Sequence, residues 1–302
     1  MLSSRTLTRV AFALSIAHCA SPAQAVNYFI TFGDSYSQTG FNVSSTKPSS
    51  SNPLGNPAYP GWTTSGGPNW IGYLAHDYNS SVTYSYNFAY GGATVNASLV
   101  KPYQDTVKSF IDQVQQYKDS IAPKPTYAPW TPRNSLFGVW MGVNDVGNSY
   151  WNANDTEAAL LGRIMDSYFG QIDVLYATGA RNFVLLNVPP IDQSPLMLGQ
   201  TEAVRAQEKG VIETFNGMVR MRVRDFVGAH EGVRMLVVDT QRPFEKAIKS
   251  PVSYGSKDAS CYNADGKTCL WFNDYHPGQA IHRLVAEAVV SAWNGSFFRA
   301  VS

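Results

Sequence analysis

Short apolar runs of strand length alternate along the chain with longer stretches whose apolar positions recur at helical spacing. The runs are Tyr28–Phe32, Thr83–Phe88, Leu136–Met141, Asn182–Asn187 and Arg234–Val238. All but Thr83–Phe88, which alternates, are nearly continuous, the pattern of strands covered on both faces, as in a parallel sheet. Between them, Val107, Phe110, Ile111 and Val114 share one helical face, as do Val211, Phe215 and Met218. A last helix over 279–292 carries Ile281, Val285, Ala288 and Val289 on one side. Strands alternating with helices predict an α/β fold, a three-layer α/β/α sandwich around a five-stranded parallel sheet. No internal repeat or charge run breaks residues 26–302, which are expected to form one domain.

Residues 42–69, rich in Ser, Pro, Gly and Asn, interrupt the alternation as one long connection. Loops of that length in compact domains are commonly functional. Ligands of doubly wound sheets bind outside the C-terminal strand ends, so this loop is expected to wall the substrate cleft.

The N-terminal segment has a different pattern. Arg5 and Arg9 precede an apolar stretch from Val10 to Ala17, and Ala23-Gln24-Ala25 is a small-x-small cleavage site, so residues 1–25 read as a signal peptide. The stretch is well short of the ~20 apolar residues that span a bilayer. Removing Arg5 and Arg9 takes the formal net charge from +1 to −1. A nearly neutral chain has no electrostatic reason to seek nucleic acid or acidic lipid. Beyond Cys19 only Cys261 and Cys269 remain, an even pair expected to form a disulfide in an oxidising compartment; unrelated buried thiols are the alternative. Two thiols are too few for a four-cysteine metal site. Sequons at Asn42, Asn79, Asn96, Asn154 and Asn294 fit a secreted, glycosylated protein.

Four short blocks carry candidate chemistry: Gly33-Asp34-Ser35, Asn87–Thr94 with Gly91-Gly92, Gly142-Val143-Asn144-Asp145, and Asn273-Asp274-Tyr275-His276-Pro277. Singly, each has a structural reading. Ser35 is a good N-cap for a first helix, Gly91-Gly92 suits a turn, Asn144-Asp145 a cap, and His276-Pro277 a loop before the last helix. Together and in this order, they resemble the GDSL or SGNH hydrolases, from about Tyr28 to the final helix. That resemblance implies a flavodoxin-like SGNH fold with Ser35 as nucleophile on a strand-to-helix turn and His276 as its base. It also implies an oxyanion hole from the Ser35 and Gly92 amides and the Asn144 side chain. No metal or cofactor is implied. The usual family pattern has Asp three residues before the His; here Asn273 stands there and Asp274 stands two before. Asp274 is expected to orient His276, with Asn273 as the alternative. Gly-x-Ser-x-Gly and His-Glu-x-x-His are absent, and Gly266-Lys267-Thr268 lacks the first Gly of a phosphate loop, Cys261 standing there.

Within the family, Ser65–Trp70, Asn87–Thr94 and Tyr275–Gly278 are most similar to fungal carbohydrate acetylesterases of carbohydrate esterase family sixteen. The resemblance implies an acetylesterase acting on acetylated xylo-oligosaccharides, and the protein is expected to be secreted and a monomer. Tyr59, Trp62, Tyr150 and Trp151 are candidate sugar-stacking residues. The rival readings are a secreted lipase or phospholipase using the same serine on longer acyl chains, and a non-catalytic carbohydrate-binding protein on the same scaffold.

Overall fold

The computed structural model describes residues 26–152 and 157–300. The signal-peptide reading of residues 1–25 and the sequon at Asn154 lie outside them. In chain order, the elements are β1 (Val26–Gly33), α1 (Trp70–His76), β2 (Val82–Asn87), α2 (Phe110–Ser120), β3 (Ser135–Trp140) and α3 (Val143–Gly147). Next come α4 (Glu157–Ala177), β4 (Asn182–Leu186), α5 (Pro195–Leu198), α6 (Glu202–Ala229), β5 (Arg234–Val238), α7 (Gln241–Lys249) and α8 (Gln279–Trp293). The five strands form one sheet in the order β2-β1-β3-β4-β5, with every pairing parallel. The expected α/β architecture is therefore present, and all five predicted strands match to within a few residues.

The sheet is sandwiched by two helix groups, α1, α7 and α8 packing together on one side and α2, α4 and α6 on the other. Its strands show why the runs lack alternation. Phe29 meets Trp70 and Phe298, whereas Phe32, on the opposite face of β1, meets Phe110 and Tyr117. In β3, Trp140 meets Trp70 and Phe137 meets Tyr117 and Trp130. Burying each such ring contributes roughly 1.5–3 kcal/mol.

Several expectations need correction. Val107 is buried but lies outside α2, because Ser109 caps the helix in a capping box with Asp112. The long helix α4 was not among the predicted elements. No helix follows Ser35: residues 34–37 turn back on themselves and α1 begins only at Trp70. The 42–69 connection divides its work. Leu54 is buried and the Pro53 carbonyl accepts from Ser85 N–H, so its first half covers the β2 edge. Its second half reaches the Ser35 turn, where Thr64 Oγ1 donates to the Ser35 carbonyl at 2.9 Å. Cys261 and Cys269 are joined in a disulfide before the His276 loop. Among the described residues, no helix is long and apolar enough to cross a membrane.

The strand order places the site. β1 has β2 on one side and β3 on the other, so the chain leaves their C-terminal ends in opposite directions and opens a crevice there. Ser35 follows β1, Gly92 follows β2 and Asn144 follows β3.

Candidate active site

The Ser35 turn is held by an array of buried amides and hydroxyls. Asp34 is fully buried, and its carbonyl accepts from Ser37 and Gln38 N–H while its Oδ1 accepts from Tyr36 N–H at 2.9 Å. Gln113, on α2, grips the strand end in both directions: Oε1 accepts from Gly33 N–H at 3.0 Å and Nε2 donates to the Gly33 carbonyl at 2.8 Å. Asn87 donates to the Ser37 carbonyl at 2.7 Å, and Trp70 Nε1 donates to Ser37 Oγ at 3.0 Å. With the backbone fixed at this many points, the Ser35 hydroxyl is presented on a rigid support.

His276 meets it. Its Nε2 lies 2.8 Å from Ser35 Oγ, across 241 positions of sequence. Its Nδ1 lies 2.9 Å from Asn273 Oδ1. The same oxygen accepts from the Tyr275 and His276 amides at 2.9 and 2.7 Å. Two backbone donors can converge only on an acceptor, which fixes the amide orientation of Asn273. That acceptor in turn requires the proton on Nδ1, leaving the Nε2 lone pair for the Ser35 hydroxyl. Here the favoured sequence reading is corrected: Asn273, not Asp274, contacts the imidazole. The turn closed by Asn273 Oδ1 aims the residue three before the histidine at the ring. Asp274 is exposed, and its carbonyl accepts from Leu196 N–H at 2.8 Å. Burial pushes the His276 pKa down to about 4, opposed by the negative charge of Asp274.

The three candidate oxyanion donors border the same crevice. Gly92 has φ of +80°, and a Cβ there would come within 2.3 Å of Tyr103 Cε1. The positive φ favours glycine, and any side chain here would also displace the exposed Tyr103 ring. Neither the Ser35 nor the Gly92 amide has an acceptor among the described residues. Asn144 lies in α3 and donates one amide hydrogen to the Ala93 carbonyl at 3.0 Å, leaving its second for another acceptor. Asp145 ties this block to the previous one, both its oxygens accepting from Val95 N–H at 3.0 and 3.1 Å.

The aromatic candidates separate. Tyr59 stacks on His76, at the end of α1, with centroids 4.6 Å apart. One face of its ring is thus taken by His76. Trp62 is 71% exposed and lies over Gly40, beside the nucleophile turn. Tyr150 and Trp151 pack edge to face and, with Asn144 and Tyr275, line a cavity of about 330 Å³.

Sequence reasoning missed three features. Gln113 and Tyr103 belong to no short motif, and Tyr36, beside Ser35, carried no expected role, although its Oη donates to the Tyr275 carbonyl at 2.6 Å and so anchors the histidine loop. Buried carboxyls surround the site: burial pushes Asp34 and Asp145 up to about 7. His282 is buried behind Tyr36 and Trp140 with neither ring nitrogen hydrogen-bonded among the described residues, and burial lowers its pKa to about 3.

A hydroxyl bonded to a tautomer-fixed imidazole, at the mouth of a parallel sheet, is the arrangement of a serine hydrolase. Comparison with known proteins gives the family. The sequence profile of the GDSL-like lipase/acylhydrolases matches residues 29–289. An acetylesterase of Thermothelomyces thermophilus is 55% identical over 302 residues, covering 97% of this chain and 99% of its own length. An acetylesterase of Hypocrea jecorina is 25% identical, covering 91% and 90%. In fold, the chain is similar to the crystal structure of an acetylxylan esterase from Geobacillus stearothermophilus, with a TM-score of 0.50 at 14% identity, covering 88% of this chain and 93% of that one. The chain belongs to the GDSL-like lipase/acylhydrolase family and is a carboxylic ester hydrolase.

Proposed function

We propose that the protein is a secreted acetylesterase that removes acetyl groups from cell-wall carbohydrates of the xylo-oligosaccharide type, through an acyl-enzyme. The observation that carries the reading is the continuous relay from Ser35 Oγ through His276 to Asn273. The acetylesterase relative of 55% identity supports the acyl group. The charged-then-apolar residues 1–25 and the disulfide support export. Residues 26–302 act as a single catalytic domain and a monomer.

In the first half-reaction, Ser35 Oγ bonds to the ester carbonyl carbon as its proton passes to His276 Nε2. The carbonyl oxygen becomes an oxyanion accepted by the Ser35 and Gly92 amides and the Asn144 side chain. The C–O bond to the sugar then breaks, and the Nε2 proton goes to the leaving alkoxide. Water repeats the sequence on acetyl-Ser35: its proton passes to Nε2, its oxygen bonds to the carbonyl carbon, acetate leaves and the proton returns to Ser35.

Hydrolysis of p-nitrophenyl esters from acetate to palmitate, with Ser35→Ala as control, tests this. A Ser35-dependent preference for acetate, followed by acetate release from acetylated xylo-oligosaccharides, is expected. A maximum at long chains would replace the reading with a lipase, and no Ser35-dependent hydrolysis would leave a binding protein.

A further inference from the structure

The cavity beside Asn144 contains a group that the reaction above does not use. Glu208, on α6, lines it together with Asn144, Tyr150, Trp151, Gln200 and Tyr275. Glu208 is 1% exposed, yet its Oε2 has no hydrogen-bond partner among the described residues. A buried carboxyl oxygen without a partner costs about 1–3 kcal/mol. Burial and the neighbouring Asp192 carboxyl push Glu208 up to about 7, which makes it a group able to donate as well as accept.

The cavity adjoins the reaction centre through two of its lining residues. Asn144 is a candidate oxyanion donor, and Tyr275 immediately precedes His276. At about 330 Å³ it has far more room than an acetyl group fills. Its lining is mixed, Leu196 and Met197 standing beside Glu208, Gln200 and Asn144, and an extended acyl chain there would desolvate the last three against hydrocarbon. A pyranose ring suits it well. Trp151 is 57% exposed, with Tyr150 edge-on to it at 4.8 Å, and the two form an apolar wall facing polar groups. One face of a sugar is C–H and its rim is hydroxyl, so aromatic wall and carboxyl meet complementary parts of the same ring.

We propose that this cavity is a saccharide subsite, in which Glu208 hydrogen-bonds a ring hydroxyl of the substrate while Tyr150 and Trp151 cover the ring's apolar face. The proposal deepens the acetylesterase reading and rests on it for where the ester lies. Glu208 would then select the alcohol portion of the ester, and it takes no part in the chemical step.

The test separates binding from turnover. Xylotriose is titrated calorimetrically into the full mature chain carrying Ser35→Ala, and into the same chain with Glu208→Ala, Glu208→Gln or Trp151→Ala added. Loss of a hydrogen bond to a buried polar partner predicts about a 10- to 100-fold rise in Kd for Glu208→Ala. Glu208→Gln, of equal size and retaining donor and acceptor, should restore most of it and serve as the folding control. In the active enzyme, the ratio of kcat/KM on acetylated xylotriose to that on p-nitrophenyl acetate should fall by a similar factor. Equal binding in Glu208→Ala, or no xylotriose binding by the Ser35→Ala parent, overturns the subsite. So does new activity of Glu208→Ala on hexanoate or octanoate esters, which would make the cavity the acyl side. Glu208-dependent xylotriose binding without acetate release would uphold the subsite and defeat the acetylesterase reading. Acetate release with Glu208-independent binding would do the reverse.

Discussion

Replacing Asn273 tests the catalytic relay where it departs from the family pattern. Three donors converge on its Oδ1: the Tyr275 amide, the His276 amide and His276 Nδ1. At about 1 kcal/mol per neutral hydrogen bond, Asn273→Ala loses roughly 3 kcal/mol in all, one part of which is the imidazole contact. Without it the ring can rotate and the proton can move to Nε2, the position that must accept from Ser35. A cost of about 1.4–2.7 kcal/mol in the transition state lowers kcat about 10- to 100-fold. Asp274→Ala should lose less than about threefold, because its exposed charge acts on His276 through solvent. Asn273→Asp keeps the shape but places a carboxylate on the imidazole, raising the His276 pKa from about 4 toward its ordinary value. A general base must be unprotonated, so activity is lost as pH falls through that pKa. The acid limb of kcat/KM for Asn273→Asp should therefore move up by about one pH unit or more. Initial rates on p-nitrophenyl acetate from pH 3.5 to 8, for all three variants, measure both effects. A larger loss in Asp274→Ala than in Asn273→Ala, or an unmoved acid limb in Asn273→Asp, would refute the assignment.

Gly92→Ala adds a Cβ 2.3 Å from Tyr103 Cε1 at a φ of +80° that costs a side-chain-bearing residue about 1–2 kcal/mol. Displacing its amide should lower kcat with little change in KM; a change in KM alone would assign Gly92 to ground-state binding. Gln113→Ala leaves the Gly33 N–H and carbonyl unpaired in the core, at about 1–3 kcal/mol for each group, and should lower Tm by about 5–10 °C. An unchanged Tm would show that the clamp is replaceable. His282 has a folded pKa of about 3 against an ordinary 6.5, so the unfolded chain takes up the proton first. The stability this group contributes is complete above pH 6.5 and is lost as pH falls toward 3, roughly 2–3 kcal/mol of it by pH 4.5. His282→Phe should therefore lose less Tm than the parent between pH 7 and 4.5, and equal losses would remove His282 from the acid response.

Most of the sheet was legible because strands covered on both faces read as nearly unbroken apolar runs, whereas the edge strand β2 alternates Thr83, Ser85 and Asn87 with Tyr84 and Tyr86. Helix α4 carried the helical signal as well, for Leu160, Leu161, Ile164, Met165, Tyr168, Phe169, Ile172 and Leu175 recur on one buried face with Arg163, Asp166 and Asp173 exposed opposite, so its omission was a missed periodicity. Ser35 and His276 were legible because nucleophile and base must be particular residue types in short local turns. The orienting residue was not, since which of two adjacent residues faces a ring depends on how the turn closes. Here that is decided by two amide donors bonding Asn273 Oδ1. Gln113 and Glu208 were illegible for a related reason. Each acts from a helix 78 or more positions from Ser35, and nothing in its local sequence distinguishes it from a surface residue.

The substitution of Asn for Asp has a consistent place in the electrostatics of this site. A carboxylate at residue 273 would stabilise the imidazolium that forms as Ser35 attacks, but it would also keep the resting imidazole protonated in acid. A neutral amide fixes the same tautomer without that field, and burial then holds His276 unprotonated down to about pH 4. The surrounding carboxyls follow the same logic, for Asp34, Asp145 and Glu208 are each pushed up to about 7 and so are neutral in acid. Well below pH 7 these buried carboxyls add little charge to the resting site, and the exposed Asp274 is the charge that acts on the imidazole. Donors such as the Ser35 and Gly92 amides then act in a medium of low polarity, where each bond to the oxyanion stabilises more than it would in water. Some stabilisation of the imidazolium is given up in exchange for a base that remains available in an acidic medium.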